Sequence, residues 1–493
     1  MSHVERTSAK GEYIIMLKKT KIVCTMGPAT EKPGLVEELI KNGMNCARFN
    51  FSHGDHAEHA GRIKMVRDAA RHTDSIVALL LDTKGPEMRL GTFKDGKVQL
   101  TKGEEFVLTY ADTPGDEHHA PISHKDLYKE VKPGNTILLS DGLVGLTVKE
   151  IKGKDIVTEI LNSGPMSTKK RVAAPGVAVS LPPISEQDEK DIIFGIENDM
   201  DYVAASFIQR ASDVKEIRKL IKKHKGGMDI IAKIENLEGV KNIDAIIEAA
   251  DGIMVARGDL GVEIPAEDVP FLQKEIISKC NRAGKLVIVA TQMLESMTNN
   301  PRPTRAEVSD VANAVFDGTD AIMLSGETAS GDYPVEAVQT MSKIAMKTES
   351  TIHYQKRFAH TGVEEQKHIT DAIAHSSVQL SYELGAKAIL TPTHSGYTAK
   401  AVSKYRPLAD IVAYATTAKV ARQLNLYWGV QLINGRIWDD EHDSAAAAVA
   451  AALREGYVEI GDTTVITSGI SSGEAGFKSK GNNTTKIQIA VVD

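Results

Sequence analysis

The chain has 493 residues, of which 59 are Lys or Arg and 66 are Asp or Glu, leaving a formal charge of −7. With 42% hydrophobic and 25% charged residues, it has the make-up of a globular protein of several domains, which excludes a disordered, collagen-like or small disulfide-stapled chain. The mild acidity argues against a protein built to neutralise nucleic-acid phosphates or to dock on an anionic membrane, so neither partner is expected.

Residues 1–17 read as an N-terminal extension whose one apolar patch, Ile14 to Leu17, is too short for a secretory core. Eight short apolar runs follow, each leading into a helical pattern: Lys21 to Thr25, Asn45 to Phe49, Ile76 to Leu81, Tyr202 to Ser206, Ile230 to Ile234, Gly252 to Val255, Leu286 to Ala290 and Ala321 to Leu324. Eight strand-helix units predict a TIM (β/α)8 barrel over 18–86 and 184–352. Between them, over 87–183, short strands alternate with turns such as Asp95-Gly96, Pro133-Gly134 and Asp141-Gly142, which predicts an inserted all-β domain. Helical character returns at Ser185, followed by acids in the first turn.

From 353 to 493 five further strands, near Lys387, Ile411, Val430, Thr464 and Ile487, alternate with helical segments and predict a C-terminal open α/β domain. The longest apolar run, Ala445 to Leu453, is a packed helix rather than a membrane span, which takes roughly 20 residues; a cytoplasmic protein is expected. Cys24, Cys46 and Cys280 lie among apolar residues at unrelated spacings and read as buried thiols.

Barrel enzymes carry their reactive groups at the carboxyl ends of the strands, and polar residues gather there in this chain. In Arg48-Phe-Asn-Phe-Ser-His53, Arg48, Asn50 and Ser52 share a face. A guanidinium there grips phosphate, or equally pairs with a nearby carboxylate. The fifth strand ends in Lys233-Ile-Glu235 and the sixth in Arg257-Gly258-Asp259. Glu235 and Asp259 on adjacent strands make a hard oxygen site suited to Mg²⁺, with a plain structural Lys233–Glu235 pair as the alternative. The third strand closes with Asp82-Thr83-Lys84-Gly-Pro-Glu87, the seventh with Thr291-Gln292 and the eighth with Ser325-Gly-Glu327.

These motifs, with Lys21-Ile-Val-Cys-Thr-Met-Gly-Pro28, Phe49-Asn-Phe-Ser-His-Gly54, Leu81-Asp-Thr-Lys-Gly-Pro-Glu87, Ala256-Arg-Gly-Asp-Leu-Gly261, Ala290-Thr-Gln-Met-Leu-Glu-Ser296 and Leu324-Ser-Gly-Glu-Thr-Ala329, resemble the pyruvate kinase family from Lys18 to the carboxyl end. The resemblance implies phosphoryl transfer from phosphoenolpyruvate to ADP, giving ATP and pyruvate in glycolysis, by a homotetramer whose β-domain acts as a lid. It implies Lys233 and Arg48 on the phosphoryl group and Mg²⁺ or Mn²⁺ on Glu235 and Asp259. The substrate carboxylate falls to backbone near Arg257, Gly258 and Asp259 and to Thr291, with Thr291 and Ser325 as candidates for the proton path.

Asn50, Ser52, Asp82 and Thr83 match the family's K⁺ ligands, and Glu87 resembles the potassium-dependent kind. Nucleotide contacts carry over to Asn50, His53, Arg89 and Lys170. The family's usual Lys-Lys-Gly-Val-Asn reads Lys169-Lys170-Arg171-Val172-Ala173 here, a departure at two positions. In the third domain Thr391, Thr393, Ser395, Gly396 and Thr398 form a hydroxyl-rich turn before a helix, and the loop Ser471 to Thr485 adds Lys478 and Lys480. Such a turn favours a phosphate, and it resembles the family's pocket for a phosphorylated allosteric effector.

Some signals carry no function. Gly469-Ile-Ser-Ser-Gly473 fits a nucleophile elbow but opens a glycine-rich loop. His53, His56 and His59 fall three apart, and a solvated helix start explains the last two better than a metal does. The alternative enzyme is a Mg²⁺-dependent barrel lyase acting on pyruvate or an enolpyruvate, which needs neither Lys233 facing a phosphoryl group nor a nucleotide lid.

Overall fold

The computed structural model describes residues 3–7, 13–361, 368–434, 444–469 and 484–493. Eight parallel strands close into a barrel: β1 (Lys21–Thr25), β2 (Cys46–Asn50), β3 (Ala78–Asp82), β4 (Tyr202–Ala205), β5 (Asp229–Ile234), β6 (Gly252–Ala256), β7 (Leu286–Ala290) and β8 (Ala321–Leu324). Both faces of each strand are covered, so the strands read as continuous apolar runs. Ile22, Cys24, Ala47, Phe49, Leu79 and Leu81 pack outward with the helices. The residues between them, Val23, Cys46, Ala78 and Leu80, belong to a second cluster that fills the barrel.

Between β3 and β4 the chain builds a seven-stranded, mainly antiparallel sheet and a two-stranded companion, Lys97–Leu100 with Gly164–Ser167. Its own core gathers Leu90, Leu100, Phe106, Leu139 and Val144. The return to the barrel is made by helix Glu186–Glu197, whose N-cap Ser185 and first-turn partner Asp188 bond reciprocally, the Ser185 N–H to Oδ2 at 3.0 Å and the Asp188 N–H to Oγ at 3.1 Å.

The C-terminal sheet contains β9 (Ala388–Thr393), β10 (Asp410–Ala415), β11 (Val430–Asn434), β12 (Thr463–Gly469) and β13 (Thr484–Val491), in the order β11-β10-β9-β12-β13. All neighbours are parallel except β12 and β13. The alanine tract is helix Ser444–Arg454, with Ala448, Ala451 and Ala452 buried against one face of this sheet. The three cysteines are free and buried. Within residues 1–17, His3–Thr7 pairs antiparallel with Tyr13–Leu17. Among the described residues no helix is long and apolar enough to cross a membrane.

The barrel floor rests on the C-terminal domain through buried charge. Within the barrel, Glu349 accepts the N–H groups of Lys19 and Thr20 at 3.0 and 2.6 Å; across to the C-terminal domain, Lys19 pairs with Asp410 at 3.1 Å and Lys21 donates to the Val430 carbonyl at 2.6 Å. Burial, with Lys18 close by, pushes the Lys21 ammonium down to about 7, and burial takes Lys18 down to about 8. Unfolded lysines hold their protons to about 10.4. Between these limits the unfolded chain binds more protons than the folded one, so stability rises with pH. Lys21→Met is expected to flatten the rise in urea midpoint between about pH 7 and 10; an unchanged slope would contradict this reading of the floor.

Candidate active site

Counting by two along the interior positions locates the top layer of the barrel. Beyond Val23, Cys46, Leu80, Ala204 and Ile231 in the barrel core stand Thr25, Arg48, Asp82, Ser206 and Lys233. The strands that fill the barrel with apolar side chains thus end by presenting polar ones at its mouth. Arg48 donates from Nε to Asp82 Oδ2 at 2.7 Å and from Nη1 to Thr25 Oγ1 at 2.9 Å. Lys233 Nζ donates to Asp82 Oδ1 at 2.9 Å and to Ser206 Oγ at 2.7 Å, and pairs with Glu235 Oε1 at 3.0 Å.

Two cations and two carboxylates therefore share one dry layer. Burial would strip the Lys233 proton, but Asp82 and Glu235 reverse this and hold its pKa above the ordinary lysine value. Burial likewise opposes the charge on Asp82, yet Arg48 and Lys233 keep it below the usual carboxylate range. Burial pushes the Glu235 carboxyl up to about 7, with Asp259 adding to the rise and Lys233 and the Phe207 N–H opposing it. That N–H donates to Glu235 Oε2 at 2.6 Å.

Asp259 lies in the first turn of the helix Arg257–Glu263 that follows β6. The Gly258 N–H donates to Thr291 Oγ1 at 2.8 Å, which joins the ends of β6 and β7. Thr291 and Gln292 have φ of 70° and 53°; a β-branched residue held there marks a strained site. The Arg257 side chain turns elsewhere, to Asp310 at 2.6 Å and the Thr291 carbonyl at 2.7 Å. Ser325 Oγ, after β8, is buried without a hydrogen-bond partner.

The donor set fits a hard divalent cation. Asp259 is close enough to Glu235 to raise its pKa, and the side chain of Arg171 already places a cation against Asp259. Among the described residues no group of three or more His, Cys, Asp or Glu is gathered for a metal. A pair of carboxylates suits Mg²⁺, which takes one or two of them and completes its shell with water and substrate oxygens.

The proposed K⁺ ligands come together on two neighbouring strands. Asn50 and Asp82 are register partners, Asn50 Oδ1 accepts the Ser52 N–H at 3.1 Å, and the Thr83 carbonyl accepts Ser206 Oγ at 2.7 Å. Glu87 is ion-paired with Arg89, whose Nη1 also donates to the Lys169 carbonyl at 2.8 Å. Arg89 and the exposed Lys170 thus sit on adjoining segments of the inserted domain, whereas Asn50 and His53 belong to the end of β2 and its loop. Among the described residues no hydrogen bond or ion pair joins these two groups of candidate nucleotide contacts.

In the C-terminal turn, Thr393 Oγ1 accepts the Gly396 N–H at 3.0 Å and Thr398 Oγ1 bonds Thr484 Oγ1 at 2.9 Å. Thr391 is fully buried with its hydroxyl toward the Val412 carbonyl, which leaves Ser395 as the exposed hydroxyl of the five residues. Most of the companion loop, including Lys478 and Lys480, and most of the Gly469–Gly473 pattern lie outside the described residues.

One expectation is corrected. His59 is not at a solvated helix start: it is 2% exposed, stacked on Phe51 at 4.1 Å, with Nε2 bonded to the His53 carbonyl at 2.9 Å. In the first turn of the helix Ala57 and Glu58 are exposed, and His59 alone is buried. Thr25, Ser206 and Phe207 escape notice in the sequence because their neighbourhoods look ordinary; the two-residue count from interior Val23 and Ala204 is the signal that finds the first two.

The barrel and its insertion match the family model "Pyruvate kinase, barrel domain" over residues 17–338, and the carboxyl-terminal part matches "Pyruvate kinase, alpha/beta domain" over 371–488. Pyruvate kinase of Clostridium acetobutylicum is 49% identical over 475 residues, covering 96% of this chain and 100% of that one. Pyruvate kinase of Geobacillus stearothermophilus is 51% identical over 464 residues, covering 94% of this chain and 79% of that one. The crystal structure of a pyruvate kinase from Cryptosporidium parvum superposes with a TM-score of 0.91 at 39% identity, covering 97% of this chain and 96% of that one. With both family models matched in order and identity near one half over nearly the whole length, the chain belongs to the pyruvate kinase family.

Proposed function

We propose that this chain transfers the phosphoryl group of phosphoenolpyruvate to ADP, and that the lysine at the barrel mouth is the group that makes the transfer possible. The observation that carries this reading is Lys233, held charged in a dry layer by Asp82, Ser206 and Glu235. Phosphoryl transfer proceeds through a loose, strongly anionic arrangement, and it needs fixed positive charge more than covalent chemistry. Lys233 faces the migrating group; Arg48, oriented by Asp82 and Thr25, binds its oxygens. Glu235 and Asp259 hold Mg²⁺, which when bound neutralises charge on the substrate's carboxylate and phosphate.

The bond from phosphorus to the enol oxygen breaks as the bond to the ADP terminal oxygen forms. The enolate then takes a proton at carbon. Thr291 Oγ1 is engaged by the Gly258 N–H and donates to the Ala290 carbonyl at 2.5 Å, so the unpartnered Ser325 hydroxyl is the better end of a water-borne proton path. The substrate carboxylate lies against the backbone of residues 257–259.

Residues 87–183 serve as a lid, with Lys170 and Arg89 meeting the nucleotide opposite Asn50 and His53. Residues 353–493 serve effector binding and homotetramer assembly: β9 and β12 flank the point where strand order reverses, and the turn after β9 lies at their carboxyl ends, where open α/β sheets bind ligands. The cytoplasm is the compartment of this reaction. Lys233 and the family matches do not favour the lyase alternative.

The test is pyruvate release coupled to a dehydrogenase, with each component omitted in turn. Activity is expected to require ADP, a divalent cation and K⁺, falling at least about tenfold without K⁺ because one fixed positive charge is missing beside the phosphoryl group. Glu87→Lys is expected to remove the K⁺ requirement. Full activity of the unaltered chain without monovalent metal ions would contradict the assignment of Asn50, Ser52, Asp82 and Thr83.

A further inference from the structure

The two positions where this chain departs from the usual lid motif lie in one short strand, Arg171–Ala173, and the first of them reaches the barrel. The Arg171 backbone is fixed in the inserted sheet: it pairs with Arg89, and its carbonyl accepts the Ser140 N–H at 2.9 Å. Its side chain, only 12% exposed, crosses to the barrel and forms an ion pair with Asp259 Oδ1. Among the described residues this is the one ion pair between the inserted sheet and the barrel.

The same guanidinium lies over the Phe207 ring at 4.9 Å, and Phe207 is the residue whose N–H holds Glu235. One lid cation is therefore pressed against both halves of the carboxylate pair, directly at Asp259 and through Phe207 at Glu235. A second acid waits on the lid side: Asp141 lies 3.6 Å from Arg171 Nη1. It sits in the tight Ser140-Asp141-Gly142 turn, where φ is 51°, 55° and 88° in succession.

We propose that Arg171 is a tethered counter-cation of the metal site, which ties the lid to Asp259 and must swing away, toward Asp141, before a divalent cation can bind. The proposal rests on the reading of Glu235 and Asp259 as the divalent-cation ligands. The guanidinium on Asp259 Oδ1 competes with a dication for that oxygen, and like charges at that spacing repel. The tether gives the arginine a high effective concentration at the carboxylate. Apparent metal affinity is then lowered by the fraction of molecules in which the arginine has released it. Lid position and metal occupancy become reciprocally linked, each favouring or opposing the other by the same factor. A glycine at this place would leave Asp259 open at all times. Arg171 is thus a positioning residue that acts through Asp259.

The experiment is a titration with Mn²⁺ alone, free Mn²⁺ being read from its electron paramagnetic resonance signal, on the full-length chain without substrate. It compares the unaltered protein with Arg171→Ala, Arg171→Gln, Arg171→Lys and Asp259→Asn, each checked for fold by its melting transition. Arg171→Ala and Arg171→Gln are expected to bind Mn²⁺ about tenfold more tightly, as when a site nine-tenths blocked is freed, and Arg171→Lys to stay near the unaltered affinity. The glutamine keeps the stem on Phe207 and carries the test if the alanine variant does not fold. Unchanged or weaker binding in the uncharged variants, with Asp259→Asn still impaired, overturns the role of Arg171 and leaves the metal reading standing. Binding that Asp259→Asn does not weaken overturns the metal reading and this proposal together.

Discussion

Lys233→Met is expected to lower kcat by about a thousandfold, the scale of losing a preorganised charge from a dry site, while KM for phosphoenolpyruvate changes little. Methionine keeps the length and packing of the lysine stem and removes only the ammonium. The loss falls on kcat because the interaction is strongest when charge is greatest, at the point of transfer. Asp82 keeps its bond from Arg48 at 2.7 Å and Glu235 keeps the Phe207 N–H at 2.6 Å, so Mn²⁺ binding by Glu235 and Asp259 is expected to persist. Normal turnover in this variant would remove Lys233 from the chemistry. Equal loss of turnover and of metal binding would make it a structural residue instead.

Asp82→Ala is expected to be the most destabilising single change at the barrel mouth. Asp82 is 1% exposed and is the shared partner of two cations, Arg48 at 2.7 Å and Lys233 at 2.9 Å. Its removal leaves two charges facing one another without the carboxylate between them, a loss of about 3–5 kcal/mol, which urea unfolding will register as a lowered midpoint with unchanged slope. The folded carboxyl titrates below the usual range because Arg48 and Lys233 outweigh its burial. In that acid window the unfolded chain binds the extra proton, so this share of stability is present above the unfolded pKa of about 3.9 and is lost as pH falls through the folded value. Asp82→Asn keeps the shape and removes the charge, and it is expected to flatten the acid limb of the stability profile. A midpoint in Asp82→Ala equal to that of the unaltered chain would show that Arg48 and Lys233 need no common anchor.

The barrel was legible in the sequence because its strands are buried on both faces: runs such as Leu286–Ala290 leave little room for another reading, and a helix pattern follows each. The site was legible as strand endings, since Arg48, Lys233 and Glu235 each break an apolar run at the same end of the barrel. What the chain order does not reveal is who meets whom across the mouth. Asp82 anchors a lysine 151 positions away, and only strand register brings them together.

The same holds for Arg171, which in sequence is only a departure from the usual lid motif and reaches an aspartate 88 positions away. His59 misleads for a related reason: its polarity suggests water, but its ring stacks on Phe51. Which residues meet between domains is a tertiary fact that local pattern does not carry.

The claim on which the rest depends is that the Lys233 charge serves the moving phosphoryl group and not the enolate. It is tested most directly by following two reactions in one preparation of Lys233→Met with Mg²⁺ and K⁺: phosphoryl transfer from phosphoenolpyruvate to ADP, and exchange of the pyruvate methyl protons with D₂O by nuclear magnetic resonance. Transfer lost with exchange retained is the predicted result. Transfer retained, or both reactions lost in equal measure, would contradict it.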